Sequence, residues 1–155
     1  MIQFNVEFKG KGAVLRSLSL IKDGMTRQST LRMLADEARA LIKVRTLEGL
    51  DENDRALIPS RRVKLHGGQT LSDKGHMLGS MRVLSATKDR AVIGFGSMTE
   101  AKKAWWAQDG TKTKKGKVKS PKRPFFGISP RDSSSLRAFA DDYVRKLVKA
   151  AESQR

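Results

Sequence analysis

The sequence predicts a small α+β protein in which an antiparallel β-sheet packs with a long N-terminal helix and a C-terminal helix, with long loops between them. Three observations carry this. Apolar residues recur at helical spacing from about residue 26 to 47, MRVLSA-TKDR-AVIGFG reads as a β-hairpin, and a capped amphipathic stretch begins at Ser129.

At the N-terminus Ile2, Phe4, Val6 and Phe8 alternate with Gln3, Asn5, Glu7 and Lys9, the period of a strand with one face on a core. Gly10 and Gly12 end it, and a short helix is expected between Ala13 and Lys22, where Val14, Leu18 and Ile21 share a face. The long helix follows, with Thr26 as N-cap. Its apolar stripe is Leu31, Leu34, Ala35, Ala38, Leu41 and Ile42, and Arg27, Arg32, Arg39 and Lys43 occupy other faces. From Glu48 to Gly79 the periodicity disappears, apart from a short apolar patch at Ala56 to Ile58, and most of that stretch reads as loop. A loop so long inside a compact domain signals binding or ordering in an assembly.

In the hairpin, Met81, Val83 and Ser85 lie on one side of the first strand, Ala91, Ile93 and Phe95 on one side of the second, and TKDR forms the turn. Residues Ala101 to Arg123 then hold nine Lys or Arg and one acid, Asp109. The part from Gly110 to Ser120 is low-complexity Lys, Thr and Gly, expected to be mobile in isolation. Ser129-Pro130-Arg131-Asp132 supplies a hydroxyl cap, a proline at the first helical position and a carboxylate three residues after the cap. The helix it starts carries the stripe Leu136, Phe139, Ala140, Tyr143, Val144, Leu147 and Val148.

The 155 residues fit a single domain, 1–155, with extended loops at about 48–79 and 102–122. The 32 Lys+Arg against 16 Asp+Glu give a net charge of +16, which attracts nucleic acid, acidic membranes or acidic proteins without choosing among them. With no cysteine there is neither a disulfide framework nor a thiolate site. No signal peptide or span of 18 apolar residues is visible, so the expectation is a protein that is neither secreted by a leader nor inserted in a membrane.

Chemistry-bearing constellations are sparse. His66 and His76, with Asp73 as their carboxylate neighbour, fall short of a metal site with support for each ligand. Ser72, Asp73 and His76 are close in sequence but lack the elbow and oxyanion loop of a nucleophilic site. Asp51, Glu52 and Asp54, like Asp141 and Asp142, read as solvating charge. The glycine pairs at 67–68 and 94–96 match no phosphate-binding spacing. No catalytic, metal or cofactor site is therefore expected.

Binding residues are easier to nominate. The basic loop residues Lys112, Lys114, Lys115, Lys117, Lys119 and Lys122 suit contact with protein or DNA, and the run 112–123 supports an alternative function as a nonspecific nucleic-acid-binding protein. Trp105 and Trp106 suit base stacking, burial or an interface equally well. Phe125 and Phe126, pinned behind Pro124, suit the core or a subunit contact.

LSDKGHMLGSMRV, AVIGFGS, KAWWAQDGT and KRPFFGIS, followed by an amphipathic helix, occur in that order. This succession resembles the tailed-phage virion morphogenesis and tail-completion family. Leu71, Asp73, Gly75, Leu78 (one place late) and Ser80 match its first element and Ile93-Gly94 its second. Trp106, Ala107 and Gly110 match the third, and Arg123, Pro124, Phe125 and Gly127 the last. Lys74 stands where the family prefers threonine, Phe126 replaces its leucine, and its Pro-Asp-Gly-x-x-Trp segment is replaced by LDENDRALIPSRRVKLHGG. The resemblance implies a structural, non-enzymatic neck protein of the virion, assembled in the host bacterial cytoplasm. It further implies a homo-oligomeric ring, expected to be a hexamer, joining head connector to tail tube, with possible nonspecific DNA contact in its lumen. On that expectation Trp105, Trp106, Arg123, Phe125 and Phe126 form the subunit or partner interface, and the loops 48–79 and 102–122 order against neighbours.

Overall fold

A computed structural model describes residues 27–72, 74–114 and 116–152. The expected strand at Ile2 to Phe8, the helix between Ala13 and Lys22 and the Thr26 cap lie outside the described residues. So do Asp73 and Lys115.

Helix α1, Arg27–Leu47, follows the predicted periodicity. Ala35, Ala38 and Ile42 are fully buried, and Leu31, Leu41 and Leu47 flank them. The same face continues through Arg45 and Thr46, both buried. The Thr46 hydroxyl donates back to the Ile42 carbonyl at 2.7 Å, so a polar side chain enters the interior with its hydrogen bond made.

Strands β1, Met81–Ala86, and β2, Ala91–Phe95, pair antiparallel, with Met81 opposite Phe95 and Ala86 opposite Ala91. The predicted hairpin is present, but its strict alternation is not. The pairing passes from Val83–Ile93 to Ser85–Val92, which makes Leu84 an extra, bulged residue. A Cβ at Gly94 would lie 2.6 Å from Leu84 Cδ1, so the glycine makes room for the bulged leucine. Ser85 is consequently exposed, whereas β2 is buried along its whole length. Helix α1 packs on both strands and on the C-terminal helix.

The segment expected as loop from 48 to 79 is more ordered than its composition suggests. Leu50 bridges Ala56, and the Asp51 carboxylate accepts from the backbone amides of Asn53 and Arg55. This Asx-type turn buries Leu57 while leaving Ile58 exposed. Helix α2, Arg61–His66, is capped by the Ser60 hydroxyl, and the one-turn helix α3, His76–Gly79, buries Met77 and Leu78. The expected loop from 102 also begins inside helix α4, Met98–Asp109. Its remainder is a second antiparallel hairpin, β3 Thr111–Lys112 with β4 Val118–Ser120.

Helix α5, Pro130–Glu152, starts where the sequence places it. The Ser129 hydroxyl accepts from the Asp132 amide and the Asp132 carboxylate accepts from the Ser129 amide, a reciprocal cap. Leu136 and Ala140 are buried and Phe139, Tyr143 and Val144 half-buried; the side chains of Leu147 and Val148 are outside the description.

Phe125 and Phe126, which the sequence assigns equally to the core or, on the family resemblance, to an interface, are at the centre of the fold. Both are buried and pack with Phe95, ring centroids 5.5 to 6.4 Å apart in tilted or edge-on pairs. Arg45 reaches the same place from α1. Its guanidinium pairs with the buried Asp132 carboxylate and donates to the Phe125 carbonyl at 2.6 Å and the Gly127 carbonyl at 2.9 Å.

Two substitutions test this centre by chemical denaturation. Phe125→Ala is expected to cost about 3–5 kcal/mol, because the surrounding helices cannot close over the vacated volume. Asp132→Ala is expected to cost about as much, roughly 3–5 kcal/mol, by leaving Arg45 buried without its counter-charge.

Candidate partner-binding surface

Helix α4 has the composition of a helix turned inside out. Its core face is Ala101, Ala104 and Ala107, all buried, while Met98, Trp105 and Trp106 are among its exposed side chains. Trp105 retains 44% of its accessible surface and Trp106 49%. Small side chains at three-residue spacing let the helix axis approach the core closely, and the bulky residues are left on the outside. Lys102 and Lys103 are exposed on the same outer surface, Lys103 pairing with Glu100 at 2.8 Å. Tryptophans half in water at adjacent positions are costly unless something covers them.

The C-terminus of α4 leads directly into the basic hairpin, and three features lock the junction. Gly110 has φ 71° and ψ 177°, a region essentially closed to other residues, and a Cβ there would lie 2.7 Å from the Ser120 carbonyl oxygen. The Arg123 amide donates to the Ala107 carbonyl at 2.7 Å. The Arg123 guanidinium then spreads three ways, Nε to the Ile58 carbonyl at 2.6 Å and the other nitrogens to the Ser120 hydroxyl and the Pro59 carbonyl. Burial pushes its pKa below the ordinary arginine value, yet a group that basic keeps its charge. Arg123, expected at the interface, is therefore an internal brace that ties the hairpin base to the 50–59 turn.

Gln108 completes the frame. Its side-chain carbonyl accepts from the amides of both Phe125 and Phe126 at 3.1 Å, and its amide donates to Glu52 at 3.2 Å. The Glu52 amide donates to the Pro124 carbonyl. Of the nominated interface residues, the structure thus leaves Trp105 and Trp106 on the surface and takes Arg123, Phe125 and Phe126 inside. Lys112, Lys114, Lys117, Lys119 and Lys122 are all exposed.

Sequence reasoning missed Arg45 and Gln108. Arg45 had a signal: it continues the register of Ala38 and Ile42, and a cation on a buried face needs a partner. Gln108 had none, because its acceptors and donors come from segments 17 and 56 residues away in the chain.

A cleft of about 290 Å³ between α2, α3 and α4 is lined by Ser60, Arg62, Ser72, Lys74, His76 and Lys103 among others. Its cations are partly engaged, Arg62 by the Gln69 carbonyl and Lys103 by Glu100. Among the described residues no group of three or more potential metal ligands occurs, and no helix is long and apolar enough to cross a membrane. No protein-family model matches the chain, and no match is found among curated proteins or solved structures.

The Arg123 brace is testable by hydrogen exchange. Arg123→Lys keeps the charge but loses the three-way fork. Faster exchange is expected at the Thr113 and Arg123 amides, with protection in the middle of α1 unchanged.

Proposed function

We propose that the protein is a structural virion component of the phage neck or tail-completion complex, a non-enzymatic subunit that assembles with copies of itself into a ring joining head connector to tail tube. The observation that carries this reading is the outer side of α4. An isolated subunit gains nothing by exposing Met98, Trp105 and Trp106, whereas one that packs against a neighbour buries them. A ring of identical chains needs one patch on each subunit to fit a different patch on the next, and the aromatic side of α4 supplies one such patch. Val44, Ile58 and Leu65, exposed on other elements, are candidates for the other.

The placement of the family-like motifs supports the same reading. Leu78, Ile93, Ala107 and Phe125 are core residues, Gly110 and Arg123 shape the hairpin junction, and Gly127 supplies a carbonyl to Arg45. These matched positions hold the frame, whereas matched Trp106 lies on the proposed contact. Sixfold symmetry and contact with the connector and tube rest on the resemblance.

Both tryptophans of the chain lie on the proposed contact, so their fluorescence reports on it alone. Light scattering across a concentration series, with or without assembled virion parts, is expected to show a ring whose formation shifts the emission to shorter wavelength. Trp105→Ala with Trp106→Ala should leave a monomer that still unfolds cooperatively and does not assemble. A chain that stays monomeric under all these conditions, or a double variant that assembles normally, overturns the reading.

A further inference from the structure

We propose that the β3–β4 ribbon binds the phosphate backbone of double-stranded DNA without regard to sequence. From Lys112 to Lys119 every described residue is exposed, so neither face of the ribbon lies against its own subunit. A bare two-stranded ribbon is at best marginally stable alone. This one is closed by the Thr113 amide to the Lys117 carbonyl at 2.8 Å and held at its base by Gly110 and Arg123. It is a projection fixed at the root, with no part in the core.

Its chemistry selects the occupant. Lys112, Lys114, Lys117 and Lys119, with Lys122 at the base, are exposed, and among the described residues none is paired with a carboxylate. No acid occurs from Thr111 to Lys122. Protein interfaces are built around aromatic residues, methionine and arginine and are depleted in lysine; the ribbon offers Val118 as its one large apolar side chain. Phosphate contact by counterion release asks for mobile point charges, which lysines are. The ribbon carries no arginine, asparagine or glutamine to read base edges, and no aromatic ring to stack unpaired bases. These absences favour duplex over single strand and nonspecific over specific contact.

The shape agrees with the chemistry. Thr111 pairs with Ser120 and Lys112 with Val118, so Lys119 is a bulged residue that increases the local twist. A twisted two-stranded ribbon fits a major groove about 12 Å wide, where its lysines reach phosphates on both sides. The proposal uses the ribbon alone and does not depend on ring formation.

Fluorescence anisotropy of a short random-sequence duplex, titrated with the full chain between about 50 and 200 mM salt, tests it. Five phosphate contacts predict a log–log salt slope near about −4.5, a loss of roughly 500-fold across that range. Changing Lys112, Lys114, Lys117 and Lys119 together to Gln should weaken the slope by about 3.6. A control carries the same charge change at the exposed Lys64, Lys88, Arg90 and Lys149. It should keep most of the slope. Equal losses in both variants would reduce the effect to net charge and overturn the proposal. So would an unchanged slope in the ribbon variant, or tighter binding of a single strand of the same length than of the duplex. Circular dichroism of each variant confirms that the fold is intact.

Discussion

The buried pair of Arg45 with Asp132 is the contact on which the rest of the structure depends. Taking two charges out of water is expensive, and their mutual attraction alone does not guarantee a net gain. Here the surroundings offset part of that cost, the Arg45 Nε–H alone staying buried without a partner among the guanidinium nitrogens. Arg45 lies in the last turn of α1 and Asp132 in the first turn of α5, where the helix dipoles favour a cation and an anion respectively. Asp132 also completes the cap with Ser129, and Arg45 satisfies two backbone carbonyls of the Phe125–Gly127 segment. One planar guanidinium therefore ties together two helices and the irregular Phe125–Gly127 segment. A lysine has no fork with which to do this.

With Phe125 and Phe126 held against Phe95, the remaining layer has to be thin. Helix α4 meets that constraint with alanines on its inner side, and its large apolar residues are displaced to the outside. The exposure of the tryptophans is thus a consequence of how the core is filled. Gln108 and Arg123 then carry the order of the core outwards, through the 50–59 turn and into the base of the hairpin. Arg45, Arg123 and Gln108 act inside as braces, and the lysines of the hairpin stay outside as charge.

Much of this was legible locally. The periods of α1 and α5, the four-residue turn between β1 and β2, and the Ser129–Asp132 cap each depend on residues within a few positions of one another, and local chemistry is what a sequence displays. The short helix α2 and the Asx turn at Asp51 were less visible because polar composition masks a turn whose order comes from one carboxylate and one buried leucine. The same holds for the hairpin within the lysine-rich run. Its strands have little strand propensity, and they pair because Gly110 and Arg123 bring their ends together.

By itself the sequence determined the α+β class, the positions of the main helices and the first hairpin, and a cationic segment near residue 115, because periodicity, capping and charge are properties of neighbours along the chain. The tertiary structure decided which of the conspicuous residues face inwards. Burial is settled by what arrives from distant segments: α1 brings Arg45 to the phenylalanines, and three alanines bring α4 close enough to turn its tryptophans towards solvent.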